Sequence, residues 1–109
     1  SILKYNDENA LSCVISLAYY SAQKNYTLHR EMPAGKGFAD IVFEPNRNCD
    51  LPALIVELKW GHSAEEAVEQ IKQKDYLDCL KNYSGEVLLV GVNYDKEKRH
   101  TCRIERVKV

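Results

Sequence analysis

The chain is poor in the features that would send it to a membrane or an oxidising compartment. No apolar run approaches the roughly 20 residues that a bilayer-spanning helix needs, and no secretion signal opens it. A soluble, cytoplasmic protein with no membrane partner is expected. The four cysteines, Cys13, Cys49, Cys79 and Cys102, show no C-x-x-C spacing, which argues against a structural zinc site and a disulfide framework. They are read as reduced thiols, mostly buried. His29, His62 and His100 never fall at helical or strand spacing, so each is read as a surface or packing residue rather than a ligand. An excess of one charge is missing too. Fifteen Lys and Arg face sixteen Asp and Glu for a net charge of -1, a balance that argues against a dedicated nucleic-acid coat but leaves room for local phosphate-binding patches. The stretch from Lys96 to Val109 is locally basic, with six Lys or Arg against Glu97 and Glu105, and reads as a solvated surface. Internal repeats, low-complexity runs and linkers are absent, so 109 residues with 45% hydrophobic content make a single domain with an ordinary core. The chain opens on Ser1 inside ordinary folded sequence and is expected to be part of a longer protein.

What is present is a legible alternation of helix and strand. Asn6-Asp-Glu-Asn9 offers N-caps to a helix over Ala10 to Gln23, whose Leu11, Val14, Ile15, Leu17, Ala18 and Ala22 follow a helical period. A short strand from Tyr26 to Glu31 precedes the turn Pro33-Ala-Gly35-Lys-Gly37. A strand over Gly37 to Glu44, a polar loop from Pro45 to Pro52 and a strand over Ala53 to Trp60 follow. Ser63 caps a second helix whose buried stripe is Ala64, Ala67, Val68 and Ile71, and which carries on past Tyr76, Leu77 and Leu80 until Ser84-Gly85 ends it. Strands over Glu86 to Tyr94 and Thr101 to Val107 complete the order of helix, three strands, helix, two strands. The step from the 53–60 strand through the second helix to the 86–94 strand is a right-handed βαβ unit with parallel strands, which predicts a mixed sheet flanked by helices.

The chemistry gathers at the end of the 53–60 strand. Successive strand side chains alternate faces, so Glu57 and Lys59 share one face while Leu54, Val56 and Leu58 take the other. The apolar run before Glu57 predicts a strand covered on both sides, where an unanswered charge would cost several kcal/mol. A hairpin with the preceding strand brings Asp40 near Glu57. Two carboxylates and a lysine at strand ends make an oxygen site suited to a divalent cation, at the sheet edge where α/β proteins place ligands. Gln70 and Lys74 lie one turn apart on the second helix and border this site.

Asp40 followed by Glu57-Leu-Lys59 on consecutive strands resembles the PD-(D/E)XK nuclease superfamily. With Glu8, Gly35-Lys-Gly37-Phe-Ala-Asp40-Ile, Ala67-Val-Glu-Gln70-Ile-Lys and Tyr76, the set is similar to the nuclease-like domain at the C-terminus of bacterial AAA-ATPase-like proteins, across essentially the whole chain. The resemblance implies an α/β, restriction-endonuclease-like α-β-β-β-α-β core and a metal-dependent nuclease domain hydrolysing phosphodiesters, of DNA by expectation. It implies Mg²⁺ or Mn²⁺ held by Asp40, Glu57 and the Leu58 carbonyl, with Glu8 as an added ligand. Lys59 would orient the attacking water or stabilise charge on the scissile phosphate. Gln70 would steady the site or touch the nucleic-acid backbone, and Lys74 and Tyr76 would face the nucleic acid. Phe38 stands where the family often has a basic residue, so Lys36 is the residue left to make that phosphate contact. An ATPase-like region of the same protein is an implied partner, and two-fold pairing follows by analogy with nucleases that cut both strands.

Plainer readings stand beside these. Glu57 and Lys59 pair with each other at a strand end, Asp40 is a turn-proximal acid, and Glu8 is a first-turn residue favoured by the helix dipole. Glu31 is read as lying outside the site, and Trp60 as a packing residue rather than a base-stacking platform. The rival to an enzyme is a catalytically silent nuclease-like module for nucleic-acid binding or assembly. A sugar or nucleotide hydrolase ranks lower, since the chain has no phosphate-cradling glycine motif.

Overall fold

The structure, a computed structural model, describes residues 4–5, 8–35, 37–47, 49–80, 83–97 and 99–109. In chain order the elements are β1 (Lys4–Tyr5), α1 (Glu8–Ser21), β2 (Tyr26–Ala34), β3 (Gly37–Pro45), β4 (Ala53–Trp60), α2 (Ala64–Gln73), a 3-10 helix (Tyr76–Leu80), β5 (Glu86–Tyr94) and β6 (Arg99–Lys108). The strands form one sheet in the order β1-β6-β5-β4-β3-β2. Neighbours β2–β3, β3–β4 and β5–β6 are antiparallel, whereas β4–β5 and β1–β6 are parallel. This is the mixed α/β sheet with helices that the element order predicts, extended by the two-residue β1.

Alternation along β4 divides the core. Ala53 and Ile55 face α2 and the 3-10 helix, packing with Val68, Ile71, Cys79, Leu80, Val87 and Leu89. Leu54 and Val56 face the other way, against Cys13 and Leu17 of α1 with Leu88 and Val90. Both layers exclude water at β4 and β5, the environment in which a strand can afford no polar residue without a partner. Gly91 lets α2 lie this close to β5: a Cβ there would stand 2.3 Å from the Ala64 carbonyl oxygen and 2.9 Å from the Ala67 Cβ.

Three expectations are corrected. The strand expected to stop at Glu31 runs on through Pro33 to Ala34. Pro33 is tolerated because β2 is the sheet edge, where a missing N–H breaks no ladder. The second helix does not continue to Ser84. It ends at Gln73, capped at Lys74, and Asp75 takes φ 57° before the chain tightens into the 3-10 turn. Cys13 and Cys102 are not reduced thiols but form a disulfide between α1 and β6. Helix packing brings their Cα atoms to 5.8 Å although 89 positions separate them, a proximity that spacing along the chain does not signal. Cys49 and Cys79 are free. Cys79 is buried, donates to the Pro33 carbonyl at 3.3 Å, and has its thiol pushed up to about 11, chiefly by that burial. Of the expected caps for α1, Asn6 and Asp7 lie outside the described residues, and α1 starts at Glu8. The basic C-terminal stretch is largely answered in place, Arg99 by Asp95 and Glu97, Arg103 by Glu65 and Arg106 by Glu86.

Candidate active site

The site begins where two ladders end at different points. β3 pairs with β4 from Phe43↔Leu54 to Ile41↔Val56, whereas the parallel β4–β5 ladder continues to Trp60↔Tyr94. Beyond Val56 the β3 side of β4 has lost its strand partner. The Asp40 carboxylate fills that role, its Oδ2 accepting from the Leu58 backbone N–H at 2.7 Å. Asp40 is thereby fixed beside Glu57, the next residue of β4 with a carboxylate.

Glu57 is 3% exposed. Burial pushes its carboxyl above the ordinary carboxylate range, Lys74 pulls it back through a hydrogen bond, and the nearby Asp40 charge pushes it up again, with Lys59 pulling weakly down. The Lys74 ammonium donates to Glu57 Oε2 at 2.9 Å, to Oε1 at 3.2 Å and to the Phe38 carbonyl at 2.8 Å. A buried carboxylate is stable here because one cation from the end of α2 spans it and β3.

The placement of Lys74 is itself built. Asp75 leaves the helix through the left-handed region, and the Gly35 turn docks on the same point. At φ 56° Gly35 has no Cβ to meet the Lys74 carbonyl oxygen, which would lie at 2.3 Å from one. The Gly35 N–H also donates to Asp78 Oδ2 at 3.3 Å. The other end of α2 is pinned over the strand ends: Ser63 Oγ accepts from the Glu66 N–H at 3.0 Å, and the buried Asn93 accepts from the His62 N–H through Oδ1 at 2.9 Å. The first turn carries Glu65 and Glu66, which suit its positive end.

The structure brings together Asp40, Glu57 and Lys74, and sets the other expected residues around them. Lys59 and Gln70 line one open cleft with Gln73 and Lys74, while Asp40 lines a second with Glu31, Phe38 and Lys74. Half-buried Tyr76 closes the space beneath Glu57 and Lys74 together with Ala34, Ile55 and Ile71. Leu58 contributes its N–H to Asp40, and its side chain points away, 51% exposed. The side chain of Glu8 and the whole of Lys36 lie outside the described residues. Two residues differ from expectation. Trp60 is 64% exposed rather than packed inside. Glu31 stands in the Asp40 cleft: the ladder runs Arg30↔Ile41 and Met32↔Ala39, leaving Glu31 opposite Asp40 with φ 53°. That register was available in the sequence once the strand is carried through Pro33. The backbone strain at Glu31, of order 1–2 kcal/mol, sits where strain is commonly stored at functional sites.

Among the described residues no three His, Cys, Asp or Glu side chains form a ready metal cage. The donor set nevertheless fits a hard divalent ion. Glu31 and Asp40 line the same open cleft, which gives it two carboxylates. Glu57 already accepts a cation, the Lys74 ammonium. Asp40 and Glu57 would hold the ion, with hard carboxylate oxygens of the kind Mg²⁺ and Mn²⁺ select.

Paired acids and a lysine at the open end of a mixed sheet, with a helix starting over them, define a nuclease-like α/β domain. The chain belongs to the PD-(D/E)XK nuclease superfamily, which it matches over residues 6–104. Members are in general phosphodiester hydrolases that act on nucleic acid and typically use divalent metals. Neither a curated protein nor a solved structure matches the chain. Among the described residues no helix is long and apolar enough to cross a membrane.

Proposed function

We propose that this domain hydrolyses phosphodiester bonds of DNA with Mg²⁺ or Mn²⁺, Asp40 and Glu57 serving as ligands together with the Leu58 carbonyl. The observation that carries this reading is the buried Glu57 carboxylate, held beside Asp40 where the β3–β4 ladder ends beyond Val56. A divalent ion there would lower the pKa of a bound water and polarise the phosphoryl oxygen. Lys59, lining the cleft next to Gln70, orients the attacking water or stabilises charge as it develops on the phosphate. Gln70 steadies that cleft, and Lys74, which lines both open clefts, borders the path of the nucleic acid; Tyr76 keeps its proposed nucleic-acid role on family resemblance alone, since it packs beneath Glu57 and Lys74. Glu8 and Lys36 retain their proposed roles as an added ligand and a phosphate contact. Attachment to an AAA-ATPase-like region and two-fold pairing for cutting both strands, which rest on family resemblance, and a cytoplasmic location, which rests on the lack of a bilayer-spanning apolar run, complete the proposal.

A silent binding or assembly module is favoured by one observation: Lys74 and the Leu58 N–H already satisfy the two acids internally. Plasmid incubated with Mn²⁺ separates the readings. The wild-type protein nicks it, and Asp40→Asn slows nicking by about 100-fold or more, the usual scale for losing one essential electrostatic group. Equal nicking by both proteins, or none by either, overturns the hydrolytic reading.

A further inference from the structure

Trp60, the single tryptophan of the chain, is the last residue of β4 and follows Lys59 directly. Alternation turns Trp60 and Leu58 onto the face opposite Glu57 and Lys59, where they are 64% and 51% exposed. The Trp60 ring stacks on Tyr94 of β5, with centroids 5.9 Å and planes 20° apart. Tyr94 meets the edge of the His100 ring of β6 at 3.8 Å. Exposure falls along this row from Trp60 through Tyr94, at 39%, to His100, at 8%. The backbones beneath this row are tied together, since Trp60 and Tyr94 are ladder partners and the Gly61 N–H donates to the Tyr94 carbonyl at 2.8 Å. Two aromatic faces are therefore assembled in advance at the surface.

Tyr94 covers one side of the Trp60 ring. The other side lies toward β3, whose ladder with β4 has already ended at Ile41↔Val56. That opening is the one the Asp40 carboxylate crosses to reach the Leu58 N–H. Glu57, Lys59 and Trp60 all fall in the last four residues of β4, the acid and the amine on one face and the indole on the other. The geometry points to Trp60 and Tyr94 as a stacking platform for an unpaired nucleobase next to the phosphodiester held at Asp40 and Glu57, an inference that rests on the nuclease reading above. Every base presents a π-face, so stacking recognises single-stranded nucleic acid without reading its sequence. In a duplex those faces are hidden between neighbouring bases, and the platform selects single strands, flaps or frayed ends. Lys59 and Trp60 point to opposite faces of the end of β4, so a strand with a phosphate at the amine reaches the indole by passing round that end.

Trp60 is its own reporter. With a chelator present to prevent cleavage, the protein is titrated with an oligothymidylate of about 12 nucleotides, with an abasic strand of the same length and with a duplex. The expected result is saturable quenching of tryptophan emission by the oligothymidylate and little by the other two. By anisotropy of a labelled strand, Trp60→Ala binds about tenfold more weakly and Trp60→Phe recovers most of the loss. Saturable binding that leaves both the emission and the Trp60→Ala affinity unchanged overturns the platform while leaving the nuclease reading intact. Equal quenching by the abasic strand, or emission of a buried indole before any nucleic acid is added, overturns it as well, the latter by showing that protein covers the rings. Failure of all three polymers to bind, both with the chelator and with Mn²⁺ restored, overturns the nuclease reading itself.

Discussion

Replacing Lys74 with methionine keeps the unbranched apolar stem and removes the charged end, which isolates what the ammonium does for Glu57. In the wild-type protein the ammonium donates to both Glu57 oxygens at 2.9 and 3.2 Å, and its side chain keeps 20% exposure against 4% for Glu57. Breaking a buried pair by removing one member usually costs about 3–5 kcal/mol, because the survivor is stranded without solvent. Glu57 has an escape, which is to take up a proton. From an ordinary value of 4.5 this costs about 1.4 kcal/mol for each pH unit above it, so about 3 kcal/mol at pH 7 and under about 1 kcal/mol at pH 5. The sign follows from burial having raised the carboxyl. A raised folded value means stability that is complete below 4.5 and is lost as pH rises toward that raised value. Loss of Lys74 removes the chief opposing influence and extends that window upward. Thermal melts of both proteins from pH 5 to pH 7.5 are the assay. At pH 7 Lys74→Met should melt roughly 10–20 °C below wild type, and at pH 5 the gap should shrink to a few degrees, about 5 °C. A gap that stays constant across this range refutes the argument, since only the Glu57 charge makes it pH-dependent.

Mn²⁺ added to the same melts should raise the midpoint of Lys74→Met more than that of wild type, because in the variant nothing competes for Glu57; an equal shift in both proteins would place the ion elsewhere. Gly35→Ala puts a Cβ 2.3 Å from the Lys74 carbonyl oxygen in a backbone at φ 56°, so denaturant melts should show a loss of about 2 kcal/mol or more. Gly91→Ala meets the Ala64 carbonyl oxygen at 2.3 Å and should lift α2, lowering both the midpoint and nicking, since α2 carries Gln70 and ends at Lys74. Reducing Cys13–Cys102, which closes a loop across 89 positions, should cost roughly 2–4 kcal/mol in a urea titration; a midpoint indifferent to reductant would mean the bridge adds nothing in solution.

Periodicity alone was enough for much of the architecture. Glu57 and Lys59 fall on one face of β4 because a strand alternates every residue, and Ser63 caps α2 because its hydroxyl is placed to accept from the Glu66 N–H. These are local rules that hold wherever the chain is. The extent of β2 was not local, since Pro33 is acceptable only on a strand whose outer side pairs with nothing, and strand order settles that. The break of α2 at Lys74–Asp75 depended likewise on Gly35 arriving from another part of the chain.

From the sequence come the α/β class, the two acids on neighbouring strands and the lysine two positions beyond the second, because side-chain period and turn chemistry are written residue by residue. Only the folded chain decided that Lys74 is the cation on Glu57, that Glu31 shares a cleft with Asp40, that Cys13 meets Cys102 and that Trp60 is left uncovered. Each of those depends on a distance between segments far apart in sequence. Packing of helices on a sheet sets such distances, and no spacing along the chain records them.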